Sequence, residues 1–229
     1  MTKVMRFALI GICVGAVISA RSPDPALAGT CGAGVGYTAY GNTGGQYGGK
    51  IGESGMGMKV LNPDVECNQV RSVVVWVDLN NYAEVGYFED PSGNAEQCQT
   101  FVSPRLLVYA VTSGTVKCKQ DPPVLAAGSW YKVRVQNPDH DNKMHYYYGT
   151  SYQGFFTVSF NQGNVRSFTE RHHPTSESLN SNMDGLAYMG ASDNWNVWTN
   201  QTHTSTGDVS GWTFCEESEL HYRVIQGSC

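Results

Sequence analysis

The chain has 229 residues, a formal net charge of −5 at pH 7, and charged side chains at 15% of its positions. Its Lys and Arg residues are scattered singly along the sequence, which argues against a nucleic-acid partner. The apolar run at residues 7–20 is too short to cross a bilayer core of roughly 30 Å, so no membrane span is expected.

The first segment in chain order has the parts of an export signal. Lys3 and Arg6 precede the apolar run, and Ala26-Leu27-Ala28 offers small residues at both recognition positions of a cleavage site. We expect a signal at residues 1–28, cleavage before Gly29, and a secreted protein. The mature chain would have about 201 residues, which is the size of one domain.

Six cysteines follow the signal, and an even number in an exported chain predicts up to three disulfides. They are Cys31, Cys67, Cys98, Cys118, Cys215 and Cys229. The pairing stays open at this point. One candidate pair is Cys98 with Cys118, because they bracket a predicted strand, and Cys215 or Cys229 could tie the C-terminal end to Cys31 or Cys67.

Residues 29–57 contain 12 glycines and few apolar residues. Such a composition cannot bury enough surface to offset the ordering entropy of glycine, so a loosely ordered Gly-rich arm is expected here. The segment from Gly44 to Lys50 has the glycine and lysine spacing of a phosphate loop. Because Ile51 replaces the hydroxyl residue that would hold magnesium, we reject phosphate binding.

A β domain is expected over residues 58–229, since the pattern from there on is of short β-rich runs with turn residues between them. The predicted strands are Gly57 to Leu61, Ser72 to Asp78, Tyr82 to Glu89, Arg105 to Thr112, Trp130 to Gln136, Met144 to Gly149, Phe155 to Asn161, Asn164 to His172, Gly185 to Met189, Asn196 to Asn200 and Tyr222 to Gln226. The turn at residues 161–164 predicts a hairpin of the seventh strand with the eighth. This many strands in one domain favours an all-β, two-sheet sandwich.

Two of the predicted strands carry an acid among aromatic residues. Alternation places Glu84 on one face of its strand with Tyr82, Gly86 and Phe88. The strand of residues 164–172 likewise places Glu170 on the face of Arg166, Phe168 and His172. Two carboxylates held close in a partly dry groove cannot both ionise easily, so one would act as general acid while the other activates water. Two unrelated exposed strand acids would leave the same pattern.

The stretch Glu84-Val85-Gly86-Tyr87, with the later Thr169-Glu170, resembles the two acid-bearing strands of the neprosin-like glutamic peptidases, to which the eqolisin-type enzymes are related. The likeness covers about residues 55–200 and would make this chain a divergent, exported, bacterial-type member. It implies a concanavalin-like antiparallel β-sandwich of two curved sheets. It also implies that Glu84 and Glu170 are a catalytic pair that cleaves peptide bonds at acidic pH. Two departures are Phe168-Thr169, where Gly-Gly is usual, and Tyr87, where Trp is usual.

Further aromatic residues are candidates for substrate binding. Tyr82, Gly86, Phe88 and Phe168 flank the two acids, and the run from His145 to Tyr148 could add Tyr146 and Tyr148, which share a face. Flat rings of this kind suit an extended peptide or a sugar. The alternative function is therefore a secreted, non-catalytic, carbohydrate-binding (lectin-like) module.

No metal, cofactor or second subunit is expected. Asp139, Asp141 and Asn142 lack the glycine and closing glutamate of a calcium loop, and the adjacent His172 and His173 would point to opposite faces of a strand. The expected partner is a peptide or polysaccharide substrate, bound by a monomer.

Overall fold

The computed structural model describes residues 35–41, 44–61, 69–90, 101–171, 181–198, 201–207, 209–218 and 220–229. The regular elements in these ranges are β-strands. In chain order they are β1 (Val35–Tyr40), β2 (Gly48–Ile51), β3 (Met58–Lys59), β4 (Gln69–Asp78), β5 (Asn81–Asp90), β6 (Phe101–Thr112), β7 (Thr115–Cys118), β8 (Trp130–Tyr131), β9 (Val133–Gln136), β10 (Lys143–Tyr148), β11 (Ser151–Thr157), β12 (Asn164–Arg171), β13 (Ser181–Asp184), β14 (Leu186–Met189), β15 (Trp195–Val197), β16 (Thr202–Thr206), β17 (Trp212–Ser218) and β18 (His221–Gln226). In the described part of the chain, no helix is long and apolar enough to span a membrane.

The strands pair in three antiparallel sheets that build two layers. One layer is a seven-stranded sheet of order β16-β1-β12-β4-β5-β6-β7. The other combines a six-stranded sheet, β11-β10-β9-β2-β14-β15, with a five-stranded sheet, β17-β18-β13-β3-β8. Each of three neighbouring strands in the six-stranded sheet is next in the chain to a strand of the five-stranded sheet: β9 follows β8, β2 precedes β3, and β14 follows β13. These pairs have the same order in both sheets, so the second layer is one continuous surface with a bend, called the crease here, between the two sheets. The prediction of an all-β sandwich is confirmed.

Glycines make the crease in the second layer. Gly52, Gly57 and Gly185 have φ values of +95°, +106° and +74°, and they lie where β2 passes into β3 and β13 into β14. This left-handed region is open to glycine and strained for other residues. The Gly52 amide donates to the Gly185 carbonyl at 2.9 Å, which ties the two bends together.

The core lies between the layers, where alternate residues of each strand are apolar and fully buried. Val73, Val85 and Val108 represent the seven-stranded sheet, and Val135 and Met144 represent the opposite layer. The other face of the seven-stranded sheet, which carries the even-numbered residues of β4 and β5, is turned away from this core.

The Gly-rich segment takes part in both layers. β1 lies between β12 and β16, and β2 lies between β9 and β14, so the expectation of a loosely ordered arm is wrong for these strands. A Cβ on Gly49 would lie 2.7 Å from a Val73 methyl, and one on Gly36 would lie 2.3 Å from the Thr169 carbonyl oxygen. Glycine is present here because neighbouring backbone and side chains approach too closely for a larger residue.

The predicted hairpin of residues 155–161 with 164–172 is wrong, because β11 pairs with β10 and β12 pairs with β4 and β1. The segment between β11 and β12 passes from one layer to the other. Along the way the Val158 amide donates to the Asn142 carbonyl at 2.8 Å, and Gln46 and Gly163 exchange two backbone hydrogen bonds. These contacts hold the crossing chain in the place where a turn was expected.

The cysteines at the C-terminal end bond to each other. Cys215 on β17 and Cys229 form a disulfide with a Cα–Cα distance of 5.7 Å, which corrects the expectation that either would reach Cys31 or Cys67. Gly227, with φ +100°, donates to the Gly211 carbonyl at 2.8 Å and so keeps the chain end beside β17. Cys118 is also disulfide-bonded. The predicted pair of Cys98 with Cys118 involves a residue outside the described ranges.

Candidate active site

An open cavity of about 430 Å³ lies on the outer face of the seven-stranded sheet, and both Glu84 and Glu170 line it. The other lining residues are Gly36, Tyr37, Thr38, Trp76, Leu79, Tyr82, Arg166, Phe168, Thr169, Thr204 and Thr206. The sequence pattern left open whether the two acid-bearing strands are neighbours. The structure brings their acids to one cavity.

Strand register explains how the acids come together. β4 is the shared neighbour of β5 and β12, and Glu84 lies opposite Val74 of β4 while Glu170 lies opposite Val70. Two strand spacings of roughly 4.8 Å separate β5 from β12. Ser72 lies between Val70 and Val74 on the same face of β4, so it occupies the middle of the diagonal that joins the two acids.

The Glu84 carboxyl is nearly inaccessible to water, with 9% of the residue exposed. Its Oε1 accepts a hydrogen bond from the fully buried hydroxyl of Ser72. Burial raises the pKa of Glu84 from 4.5 to about 7; the Ser72 hydrogen bond opposes the rise, and the charge of Glu170 adds to it. Glu84 is therefore a carboxylic acid that keeps its proton in mildly acidic solution.

The order of these causes changes the sequence-based interpretation. The sequence suggested that two close carboxylates would repel each other and so share one proton. In the structure, burial is the largest cause of the raised pKa of Glu84, and Glu170 is the smallest of the three. The two groups are thus distinguished by their surroundings, since Glu170 is only partly buried whereas Glu84 is enclosed.

Aromatic rings form one wall of the cavity. The Trp76 ring stacks on Tyr82 with centroids 5.0 Å apart and packs against Phe168 at 5.8 Å. The Arg166 guanidinium lies over the Trp76 ring at 5.2 Å. Burial, reinforced by the charges of Glu84, Tyr109 and Glu170, raises the pKa of Tyr82 far above its usual value. The Tyr82 phenol, which also hydrogen-bonds with Tyr109, thus stays protonated within the electrostatic reach of both acids.

Four of the residues predicted to bind substrate lie elsewhere. Phe88 is 5% exposed and packs with Leu107 in a small separate cluster. A Cβ on Gly86 would lie 1.9 Å from the Arg71 carbonyl oxygen, so glycine is required by the backbone of β4 and not by a ligand. Neither residue lines the cavity.

The two predicted tyrosines of β10 face the wrong way for substrate binding. Tyr146 is fully buried in the core, where its hydroxyl donates to the Tyr109 carbonyl at 3.0 Å. Tyr148 packs against Tyr131 with ring centroids 5.3 Å apart, on the opposite layer from the cavity. The alternation of side chains along β10 correctly separated its two faces. It did not predict which of the two faces packs against the core.

Sequence reasoning missed Ser72, Leu79 and three of the four threonines that line the cavity, Thr38, Thr204 and Thr206. A signal existed for Ser72, because it stands between Val70 and Val74 on the face of β4 that also carries Trp76. The threonines lie on β1 and β16, and β1 belongs to the segment for which no strand was expected. Among the described residues, no three His, Cys, Asp or Glu side chains cluster as metal ligands would.

Comparison with solved structures finds this fold in two peptidases. A member of the eqolisin family of peptidases, solved with the tripeptide Ala-Ile-His, has a TM-score of 0.54 at 8% identity and covers 86% of this chain and 98% of its own. The Scytalido-glutamic peptidase, solved with a peptide-based transition-state analogue, has a TM-score of 0.52 at 8% identity over the same shares, 86% and 98%.

A Bacillus licheniformis β-glucanase is less similar, with a TM-score of 0.36 at 10% identity, and covers 83% of this chain and 70% of its own. No protein-family model and no curated protein matches the chain. The chain thus has an eqolisin-like β-sandwich fold, and fold alone does not carry chemistry from one protein to another.

Proposed function

We propose that the protein is a glutamic-peptidase-like hydrolase, of the neprosin-like kind, that cleaves peptide bonds under acidic conditions. The observation that carries the proposal is the pair of glutamates in one cavity, one enclosed and with its pKa raised to about 7, the other partly exposed. The eqolisin-like fold supports the proposal, because the two peptidases that share it were solved with peptide ligands.

The different surroundings of the two acids support a different role for each. Glu170, which is partly exposed and lines the cavity, removes a proton from the attacking water. Glu84, which keeps its proton below about pH 7, donates it to the carbonyl oxygen or to the leaving amine. After one cycle Glu170 has gained a proton and Glu84 has lost one, so a proton must pass from Glu170 to Glu84, directly or by exchange with solvent. Ser72 holds Glu84 in place through the whole cycle by its hydrogen bond.

Tyr82 supplies a third polar group, the phenol O–H that is never deprotonated in the working range. It can donate a hydrogen bond to negative charge on the carbonyl oxygen, which is where charge develops during attack by water. The rings of Trp76 and Phe168 and the exposed Leu79 offer an apolar wall for the substrate. An extended peptide with apolar side chains suits this wall.

The proposal is tested by digestion of casein and of a peptide library at about pH 5, below the raised pKa of Glu84, with products identified by mass spectrometry. Glu170→Gln should lower the rate by about 10² or more, the usual contribution of a general base. Glu84→Gln should lower it similarly. Glu216→Gln, at an exposed glutamate of β17, is the matched control and should leave the rate unchanged. Equal rates in all four proteins would remove the proposal.

We further propose that the protein is exported and acts as a monomer. The Cys215–Cys229 disulfide and the bonded Cys118 support an oxidising compartment, and the N-terminal segment has the parts of a signal. N-terminal sequencing of the protein recovered from culture medium should begin at Gly29. Recovery of the full-length chain from the cytoplasm would contradict export.

A further inference from the structure

The outer face of the six-stranded sheet, on the opposite layer from the cavity, carries an exposed aromatic patch. The patch consists of His145 and Tyr147 on β10 and Tyr152 and Phe155 on β11. Tyr152 is 50% exposed and Phe155 is 49% exposed. Fold stability does not require two half-exposed rings on one sheet face, and neither belongs to the proposed active site.

The four rings form one continuous surface. Tyr147 and Tyr152 have centroids 5.3 Å apart, Tyr152 and His145 are 5.7 Å apart, and His145 stacks on Phe155 at 5.5 Å. The Tyr152 hydroxyl and His145 Nδ1 are 3.3 Å apart, in hydrogen-bonding range. Rings that already pack against each other leave no slot into which a planar base can insert. They present an extended, rigid surface of ring faces and edges.

Cations surround this patch. The Arg134 guanidinium lies over the Tyr147 ring at 3.9 Å, and no carboxylate among the described residues pairs with it. Lys117 and Lys119 reach the edge of β11, where they donate to the carbonyls of Thr157 at 2.6 Å and Gln153 at 3.4 Å. Within the described ranges, no acid pairs with any of these three positive charges.

More cations lie along the same face, although they are paired with acids. Lys143 Nζ is 6.0 Å from the Phe155 ring and bonds Asp141 at 2.7 Å. The register places Lys50 directly beside Arg134, and Lys50 pairs with Glu53. Five cations, two of them paired with acids, thus lie on or beside one face of a chain whose net charge is −5.

We propose that this face binds an acidic polysaccharide. The C–H faces of sugar rings suit the negative faces of aromatic rings, and carboxylate or sulfate groups on the sugars suit the three cations without acid partners. A neutral polysaccharide would leave these cations without a counterion in the contact. A nucleic acid strand would require stacking slots between the rings and a longer run of cations.

The location gives this site a separate role from the cavity. The aromatic patch and the cavity lie on opposite layers of the sandwich, so a protein held on a polysaccharide through the patch leaves its cavity open to a second substrate. The polysaccharide site requires neither Glu84 nor Glu170. Polysaccharide binding can therefore be tested independently of the proposed peptidase activity.

The test is native affinity electrophoresis of the full chain in gels that contain polygalacturonate, with neutral dextran as the comparison. We expect retardation by polygalacturonate alone, and its loss in about 1 M NaCl, where the screening length falls to roughly 3 Å. Tyr152→Ala and Arg134→Gln should each weaken binding about three- to tenfold, as expected for one aromatic or cation contact. Glu170→Gln should bind as the unchanged chain does.

Val124→Ala is the matched control, because Val124 is 58% exposed and lies outside the patch. Four results would overturn the proposal. They are no retardation by polygalacturonate, equal retardation by dextran, equal retardation by single-stranded DNA, and retardation that neither patch variant weakens. Sedimentation of the same proteins completes the test, since a dimer that Tyr152→Ala dissociates would identify the patch as a contact between two copies.

Discussion

Replacing Glu84 by Gln should remove a specific pH dependence of folding. The folded protein holds the proton of Glu84 more tightly than the unfolded chain does, because burial raises the pKa from 4.5 to about 7. The stability that this proton contributes is fully present below about pH 4.5 and is lost as the pH rises through about 7. A difference of about 2.5 pH units, at about 1.4 kcal/mol for each, corresponds to about 3.5 kcal/mol, of which about 3 kcal/mol falls between about pH 4 and about pH 8.

Urea unfolding at intervals from about pH 4 to about pH 8, with the disulfides intact, measures this dependence. The free energy of unfolding of the unchanged protein should fall by about 3 kcal/mol relative to Glu84→Gln across that range. Glu216→Gln provides the control, since an exposed glutamate should change the free energy by no more than about 0.5 kcal/mol at any pH. A constant difference between the unchanged protein and Glu84→Gln would refute the assignment of a buried, protonated Glu84.

Three further predictions concern the strands that build the site and the sandwich. Ser72→Ala should move the alkaline limit of activity upward by about one pH unit, because it removes a hydrogen bond that favours the carboxylate. Ser181→Ala, at a serine that is also buried but lies on β13 of the five-stranded sheet, should leave the limit where it is. Gly49→Ala should destabilise the fold by about 1–3 kcal/mol in urea unfolding, since its Cβ would lie 2.7 Å from a valine methyl of β4, whereas Gly190→Ala meets only an ordinary contact at 3.5 Å. Cys229→Ser should lower the free energy of unfolding by about 3 kcal/mol, because it removes the disulfide that links Cys215 to Cys229, at a sequence separation of 14. Equal urea midpoints for this variant and the unchanged protein would contradict that reasoning.

Alternation predicted the two faces of β5 and β12 correctly, because the period of a strand is local and independent of the rest of the fold. It therefore placed Glu84 with Tyr82, and Glu170 with Phe168, on the faces that line the cavity. It did not predict that β4 lies between the two strands, since strand pairing depends on residues far apart in the chain. Ser72, the hydrogen-bond donor to Glu84, was missed for that reason.

Two errors have one physical origin. The glycines of β1 and β2 suggested disorder, and Gly86 suggested an approaching ligand, yet Gly36, Gly49 and Gly86 are small because other parts of the protein approach them closely. The composition shows that these positions have no side chain. It does not show which neighbouring atoms leave no room for one. The aromatic run of β10 shows the same limit, because Tyr146 and Tyr147 differ in exposure only through which face meets the core.

The most direct test of the central claim is the pH dependence of kcat/KM for a single peptide substrate, measured for the unchanged protein and for Glu84→Gln. If Glu84 is the acid, the rate of the unchanged protein falls above about pH 7 with the loss of one proton, and that fall is absent from the residual activity of the variant. An unchanged protein that is inactive at every pH, or an alkaline limb that is the same in both proteins, would contradict the account.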